Sequence, residues 1–451
     1  MSEGSEHLLG QPEVFMETMD EPRYKKPSKF QQVLIYSLFA LSAVYMMVCL
    51  LTLNQRPPHD TYAKTATNIE IIETVPDILV QNDYKRLHRE TYLAWLDVIN
   101  RAESEICIAA YYSTMFCVNT PTNTCKDYAA QVVLALQARS DAGVKIRLLI
   151  DGNGFGDFTD IDTYKKMFLN FEVAYMNTSA LFGGVQHSKI IISDKKRFYV
   201  GSSNLDWRAL TEVKEIGVFI EGETEGAEMQ QVFEQYWACG TPERNGVITL
   251  KQAEKKFKKI YNKFNQKNPL HINDSLFYIA QSPPKQLAQT RTHDLESIIS
   301  QIQNAKTSIN IQSMDYSPLM IYTKPQMYWD NIESELRAAS IRGVKVKIMI
   351  QENTYNPQLY KSLTAMKNIE LYFMKMDTLN EENGWDHTRL THSKFISVDG
   401  NSCVITTSNW TGDYFTNTQG TSIVLEHSAL CQELDQVMNR DISSTFVKKY
   451  L

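Results

Sequence analysis

Residues 187–204 read HSKIIISDKKRFYVGSSN, and residues 392–409 read HSKFISVDGNSCVITTSN. In each stretch a histidine (His187, His392) stands two before a lysine (Lys189, Lys394) and seven before an aspartate (Asp194, Asp399). Each ends on a serine and an asparagine, Ser203–Asn204 and Ser408–Asn409. Seven of the eighteen positions are identical. Burial repeats apolar residues along a strand, but it does not hold unlike polar residues at a fixed spacing. A solvated strand face would explain either copy alone and not the pair. Brought together, two imidazoles, two ammoniums and two carboxamides suit the cleavage of a phosphodiester. Lysine and asparagine donate hydrogen bonds to the non-bridging oxygens and offset the charge that grows on them. One neutral histidine attacks phosphorus while the other, protonated, supplies the leaving oxygen with a proton. Water then cleaves the phosphohistidine. The lysine pair supplies the positive charge, so the expectation is no metal and no other cofactor. Zinc fits poorly, because a lysine beside each histidine repels it and no third ligand recurs.

The repeat extends to the elements that must carry these residues. DAGVKIRLLID (141–151) has a counterpart in IRGVKVKIMIQ (341–351), each after a helix-like segment, YAAQVVLALQARS or NIESELRAAS. Each precedes a short strand, FEVAYMN or IELYFMK, and then the histidine strand; earlier come EICIAAYYS and SINIQSMDYS. Strands alternating with helices and rich in Ile and Val predict an α/β fold. The expectation is two homologous α/β lobes, 69–250 and 251–451, with mixed sheets flanked by helices. A pseudo-twofold between them would bring His187 and His392 to one pocket. The lysine-rich 251–269 is the expected join and reads as a solvated helix face.

The 451 residues carry a net charge of −6, which excludes a global basic field of the kind that drives non-specific duplex binding. Residues 33–53 form a run of 21 without a charge, long enough to cross a ~30 Å hydrocarbon core as a helix. Four cations precede it (Arg23, Lys25, Lys26, Lys29) and one, Arg56, follows closely. The expectation is a cytoplasmic tail at 1–32, a retained single-pass type II anchor at 33–53 and a stalk at 54–68. That topology places six of the seven cysteines in an oxidising compartment; six allow fifteen full pairings, with Cys117–Cys125 in the loop CVNTPTNTC the best single guess. Asn177 and Asn273 head glycosylation sequons; Asn409 does too, but belongs to the expected site.

With its doubled HxKx4D motif, the chain resembles the phospholipase D superfamily. The first copy continues GSSN, whereas the second has Thr406 and Thr407 where glycine and serine are usual. YVGSSNLDWRALTEVKEIGV and TTSNWTGDYFTNTQGTS, with the amino-terminal anchor, resemble the membrane-anchored branch of phospholipases D three and four. That resemblance implies an acid 5′ exonuclease of single-stranded DNA and RNA in endolysosomes, its catalytic region luminal after passage through the endoplasmic reticulum, with a homodimer expected. It equally implies the alternative of phosphatidyl transfer on lysosomal phospholipids. A degenerate, non-catalytic binding member is a third reading, against which both intact motifs speak.

The resemblance makes catalytic candidates of His187, Lys189, Asp194, Asn204, His392, Lys394, Asp399 and Asn409. The family's glutamate eleven residues past the motif asparagine falls on Glu215 in the first copy, but on Gly420 in the second. That asymmetry assigns His187 as nucleophile, oriented by Glu215, and His392 as general acid and base. Ser203, Ser408, Trp207 and Trp410 are the expected substrate contacts. Tyr111, Tyr112, Tyr316, Tyr414 and Phe415 are further candidates for stacking on bases. His7, His59, His88, His271, His293, His387 and His427 lie outside the repeat and read as surface or packing residues.

Overall fold

Alternation decides how the motif strands sit. In Arg197–Gly201, Phe198 and Val200 enter one apolar core and Tyr199 another; in Ile190–Ser193, Ile190 and Ile192 are separated from Ile191 in the same way. Successive side chains leave opposite faces of a strand, so a strand apolar at every position belongs to a sheet covered on both sides.

The computed structural model describes residues 61–450, except 66, 83, 117–126, 155–157, 258, 259, 261, 289, 353–356 and 377–386, together with some residues between 28 and 44. Eight strands form the first sheet: β1 (Asn68–Thr74), β2 (Arg89–Glu90), β3 (Glu105–Ala110), β4 (Lys145–Asp151), β5 (Phe171–Met176), β6 (Ile190–Ser193), β7 (Arg197–Gly201) and β8 (Glu215–Glu221). Their spatial order is β2-β1-β8-β7-β6-β3-β4-β5. Strands β3, β4 and β5 run parallel, and β1, β8, β7, β6 and β3 pair antiparallel.

The second sheet repeats this plan. Its strands are β9 (Leu270–Ile272), β10 (Ser275–Ser282), β11 (Thr292–His293), β12 (Ser308–Ser313), β13 (Lys345–Gln351), β14 (Ile369–Met374), β15 (Phe395–Val398), β16 (Ser402–Thr406), β17 (Gly420–Glu426) and β18 (Val447–Lys449). Their order is β9-β10-β17-β16-β15-β12-β13-β14-β18, with β11 beside β10. Strand for strand, β10 to β17 match β1 to β8; β9 and β18 are additions at the edges.

One apolar core takes side chains from both sheets, including Val200, Ile216 and Val218 from the first and Ile405, Ile423 and Leu425 from the second. The helices Glu223–Trp237 and Ser428–Ile442 contribute Met229, Val232, Phe233, Tyr236, Leu434, Val437 and Met438 at helical spacing. Each such side chain, fully buried, contributes roughly 1.5–3 kcal/mol, so the two sheets stand or fall together. A Cys403–Cys431 disulfide ties β16 to the second helix, and Cys107 and Cys239 are buried thiols. Cys117 and Cys125 lie outside the described residues.

The motif aspartates belong to this framework, which corrects their place in the catalytic set. At ~3.3 Å per residue, seven positions separate His187 from Asp194 by about 20 Å. Asp194 and Lys195 take left-handed backbone (φ 53° and 57°) in the tight turn between β6 and β7; Asp399 and Gly400 do so between β15 and β16. The Asp194 carboxylate accepts from the amides of Glu103, Ser104 and Glu105 and from the Ser104 hydroxyl at 2.7–3.0 Å. Asp399 takes the corresponding bonds from Lys306, Thr307 and Ser308. Partial burial opposes the charge of each, but these donors outweigh it and lower both carboxyl pKa values. Asp194→Ala is therefore expected to lower unfolding stability by about 1.5–3 kcal/mol in denaturant titration while leaving turnover per folded molecule intact. Loss of turnover at full stability would return Asp194 to the site.

The described residues from 61 onward form one compact unit. No helix among the described residues is long and apolar enough to cross a membrane. Most of the anchor expected at 33–53 lies outside them.

Candidate active site

The two histidines are held by the opposite halves of the repeat. The His187 amide donates to the Gln419 carbonyl at 2.9 Å, and the Gln419 amide to Val185 at 2.9 Å. The His392 amide donates to the Lys214 carbonyl at 2.7 Å, and the Lys214 amide to Leu390 at 2.9 Å. Each residue pair just ahead of a motif strand is thus clamped by the residue that precedes the closing strand, β17 or β8, of the other sheet. Lys214 adds a side-chain tie: its ammonium bonds Ser393 Oγ at 3.1 Å and Asp441 at 2.8 Å, all but fully buried. This crosswise pairing brings His187 and His392 to the wall of one pocket, with Asn204, Asn409 and Glu215.

The imidazoles are buried but differently supported. His187 Nδ1 lies 2.8 Å from the Thr407 carbonyl oxygen. A carbonyl only accepts, so Nδ1 carries the hydrogen and Nε2 of the neutral ring keeps its lone pair. Burial first, then Lys189, Lys394 and His392, push the His187 pKa well down. His392 Nδ1 lies 2.9 Å from the Glu215 carboxyl. Glu215 was expected to orient His187; the structure corrects this, because β8 begins on Glu215 directly after Lys214, whose pairing with Thr391 holds the other histidine. Burial lifts the Glu215 carboxyl to about 7, against the pull of Lys394. Burial and the two lysines push protons off the His392 ring. Ring and carboxyl share one short hydrogen bond, so a proton taken up there belongs to the pair and not to either group alone.

The lysines lie beneath the histidines and do not line the open pocket. Lys189 Nζ donates to the His187 carbonyl at 2.7 Å, and Lys394 Nζ to the His392 carbonyl at 2.6 Å. Burial drives both ammonium pKa values down, Lys394 to about 7, and Lys394 further depresses Lys189. A phosphate between them would relieve both. The asparagine amides are oriented by a tyrosine and an aspartate in each half. Asn204 Nδ2 donates to Tyr112 Oη at 3.2 Å, and Tyr112 Oη to Asp206 at 2.9 Å; Asn409 Nδ2 donates to Asp315 at 3.0 Å and to Tyr414 Oη at 3.2 Å.

Four expected substrate contacts fall elsewhere. Ser203 and Ser408 are 1% and 0% exposed and lie behind the site, because the asparagine after each faces the pocket and alternation turns the serine away. Trp207 and Trp410 fill the outer cores of the first and second halves, as do Tyr316 and Phe415 in the second. Tyr111, Tyr112 and Tyr414 do line the pocket; Tyr111 and Tyr414 stand 5.4 and 5.0 Å, ring to ring, from His187. Tyr322, 61% exposed, continues the row 6.1 Å from Tyr414. Reading by residue missed Tyr322, Asp206 and Asp315, and dismissed His387, which also lines the pocket. Only Asp315, aligned with Tyr112 by the repeat spacing, left a trace in the sequence. Of the sequons, Asn273 is exposed on the β9–β10 turn, whereas Asn177 is half-buried and caps a short helix by accepting from the Ala180 amide.

Residues 82–377 match the family described as "PLD3/4, PLD-like domain". The chain is 30% identical to Phospholipase D Z of Dictyostelium discoideum over 84% of its length and 90% of that protein's. It is also 30% identical to the 5′-3′ exonuclease PLD3 of Rattus norvegicus, over 83% of its length and 79% of that protein's. The crystal structure of phosphatidylserine synthase from Haemophilus influenzae Rd KW20 shares the fold, with a TM-score of 0.54 at 11% identity over 80% of this chain and 85% of that one.

Proposed function

The chain belongs to the phospholipase D superfamily as a phosphodiesterase of the PLD3/4-like kind, and we propose that it is a 5′ exonuclease of single-stranded nucleic acid. Its work would proceed through a phosphohistidine, in the lumen of an acidic endolysosomal compartment. The observation that carries the chemistry is the unequal support of two histidines on one pocket.

His187 Nε2 attacks phosphorus as the bond to the leaving oxygen breaks. The leaving oxygen takes the proton from His392 Nε2, and the Glu215 carboxylate holds the ring's other hydrogen at Nδ1. Water then attacks the phosphohistidine, gives a proton back to His392 and releases His187. This keeps His187 as nucleophile, but for the reverse of the expected reason. The ring with only a carbonyl behind it stays neutral in acid, while the carboxylate-backed ring keeps the proton to donate. Lys189 and Lys394 have two further N–H groups each for the non-bridging oxygens.

The row Tyr111, Tyr414 and Tyr322 beside His187 favours a substrate with flat bases, each stack contributing ~1–3 kcal/mol. The name of the rat relative points the same way. Anchoring through 33–53 is supported by the uncharged run and by exposed apolar side chains on its described part, Val33, Tyr36, Leu41 and Val44.

The test uses the purified full chain in detergent near pH 5, with chelator, on 5′-hydroxyl and 5′-phosphate single strands and separately on phosphatidylglycerol. Stepwise shortening from the 5′ end, undiminished by chelation, is the expected result. Headgroup release from the lipid with intact strands would replace this reading by the phospholipid one. Rescue of chelated enzyme by divalent metal would refute the lysine clamp.

A further inference from the structure

The two halves differ at one point where their correspondence calls for a carboxylate. In the first, Glu215 pairs with Thr74 on β1, whose hydroxyl bonds Thr91 Oγ1 at 2.8 Å at the start of the helix Thr91–Asn100. In the second, Gly420 pairs with Ser282 on β10, and the matching helix, Asp294–Asn304, starts on Asp294. Position for position, Glu215–Thr74–Thr91 becomes Gly420–Ser282–Asp294. The carboxylate has moved to the far end of the line.

The space at Gly420 points to what that move does. A Cβ there would collide with Ser408 Oγ, and would stand 2.7 Å from Ser282 Oγ and 3.6 Å from Asp294 Oδ2. Ser282, Asp294 and Ser408 are each 0% exposed. Among the described residues Ser408 Oγ, Ser282 Oγ and Asp294 Oδ2 all lack a hydrogen-bond partner, so three buried polar atoms face one another around Gly420, and the Ser282 hydroxyl favours the charged form of the Asp294 carboxyl. Ser408 directly follows Thr407, whose carbonyl holds Nδ1–H of His187.

We propose that Asp294 is a positioning residue for the nucleophile, the second half's counterpart of Glu215, acting on His187 through the Ser408 hydroxyl and the Thr407 peptide. The proposal rests on the phosphohistidine reading above. When Nε2 bonds to phosphorus the ring becomes cationic, and its Nδ1–H leans harder on the Thr407 carbonyl. A buried anion behind that peptide stabilises the cation, because few solvent dipoles screen it. The charged groups that bear most on His187 are Lys189, Lys394 and His392, all opposed to positive charge; Asp151 accepts from the preceding amide, that of Gln186, at 2.6 Å and from the Asn153 amide at 2.9 Å. The ionisable side chain that bears most on Asp294 is His293, 3.5 Å away, and the Tyr236 hydroxyl donates to the neighbouring Gly420 carbonyl at 3.0 Å.

Burial raises the Asp294 carboxyl to about 6, so it is neutral in acid and an anion above that value. The experiment measures the rate of covalent loading by bis(p-nitrophenyl) phosphate as a function of pH, on the full-length wild type, Asp294→Asn, Ser408→Ala and the double variant. The ratio of wild-type to Asp294→Asn rates is expected to be close to one a unit below that value and to rise to about tenfold a unit above it. In the Ser408→Ala background, Asp294→Asn should add little. A purely structural Asp294 would give a ratio independent of pH and would overturn the proposal, as would a full additive loss in the double variant. Thermal unfolding checks that Asp294→Asn is folded. Should it not be, Ser408→Ala decides alone, by a pH-dependent ratio or its absence. Failure of the wild type to load at all would instead sink the phosphohistidine reading.

Discussion

Alanine at His187 is expected to abolish both turnover and covalent loading, whereas alanine at His392 abolishes turnover but still permits loading from a substrate with a good leaving group. The difference follows from what each ring holds. His187 offers a lone pair at Nε2 because the Thr407 carbonyl fixes the hydrogen at Nδ1. His392 supplies a proton, which p-nitrophenolate needs little and a nucleoside oxygen needs greatly. Each substitution should cost about 10⁴-fold in turnover of a natural strand, the upper range for a positioned acid or base. Phosphohistidine is acid-labile, so the adduct is trapped by alkaline quench and located by peptide mass spectrometry. An adduct confined to the His392 peptide would reverse the two roles.

Glu215→Gln carries the second large effect. Burial raises the Glu215 carboxyl to about 7, and the Glu215–His392 pair sheds its extra proton as the pH rises, so the wild-type rate is expected to fall on the alkaline side. Glutamine cannot take the negative charge that keeps the ring protonated. Burial and the lysines then act on His392 unopposed, and the alkaline limb should move to lower pH. Near pH 6 the loss on a natural strand is expected to be about 10²-fold or more, and far smaller on a p-nitrophenyl ester. An alkaline limb that stays in place, or an equal loss on both substrates, would remove Glu215 from proton transfer.

The repeat of His, Lys, Asp, Ser and Asn at fixed spacing was legible in the chain itself because chemistry constrains unlike polar residues where packing would not. So was the α/β character, since doubly covered strands must be apolar at nearly every position, as in Ile190–Ile192. What Asp194 and Asp399 do could not be read there. One spacing relates them to their histidines whether they face the pocket or clip a turn some 20 Å away, and only the pairing of β6 with β3 decides. Trp207 and Trp410 were misread for a similar reason: nearness in sequence to the motif asparagine does not say which face of the chain turns inward. Most of the active site's asymmetry was written in the sequence as Glu215 against Gly420, but its meaning was not. The strand that carries Glu215 crosses to the histidine of the other half, so which ring gains the carboxylate is settled by the packing of two sheets and not by any interval along the chain.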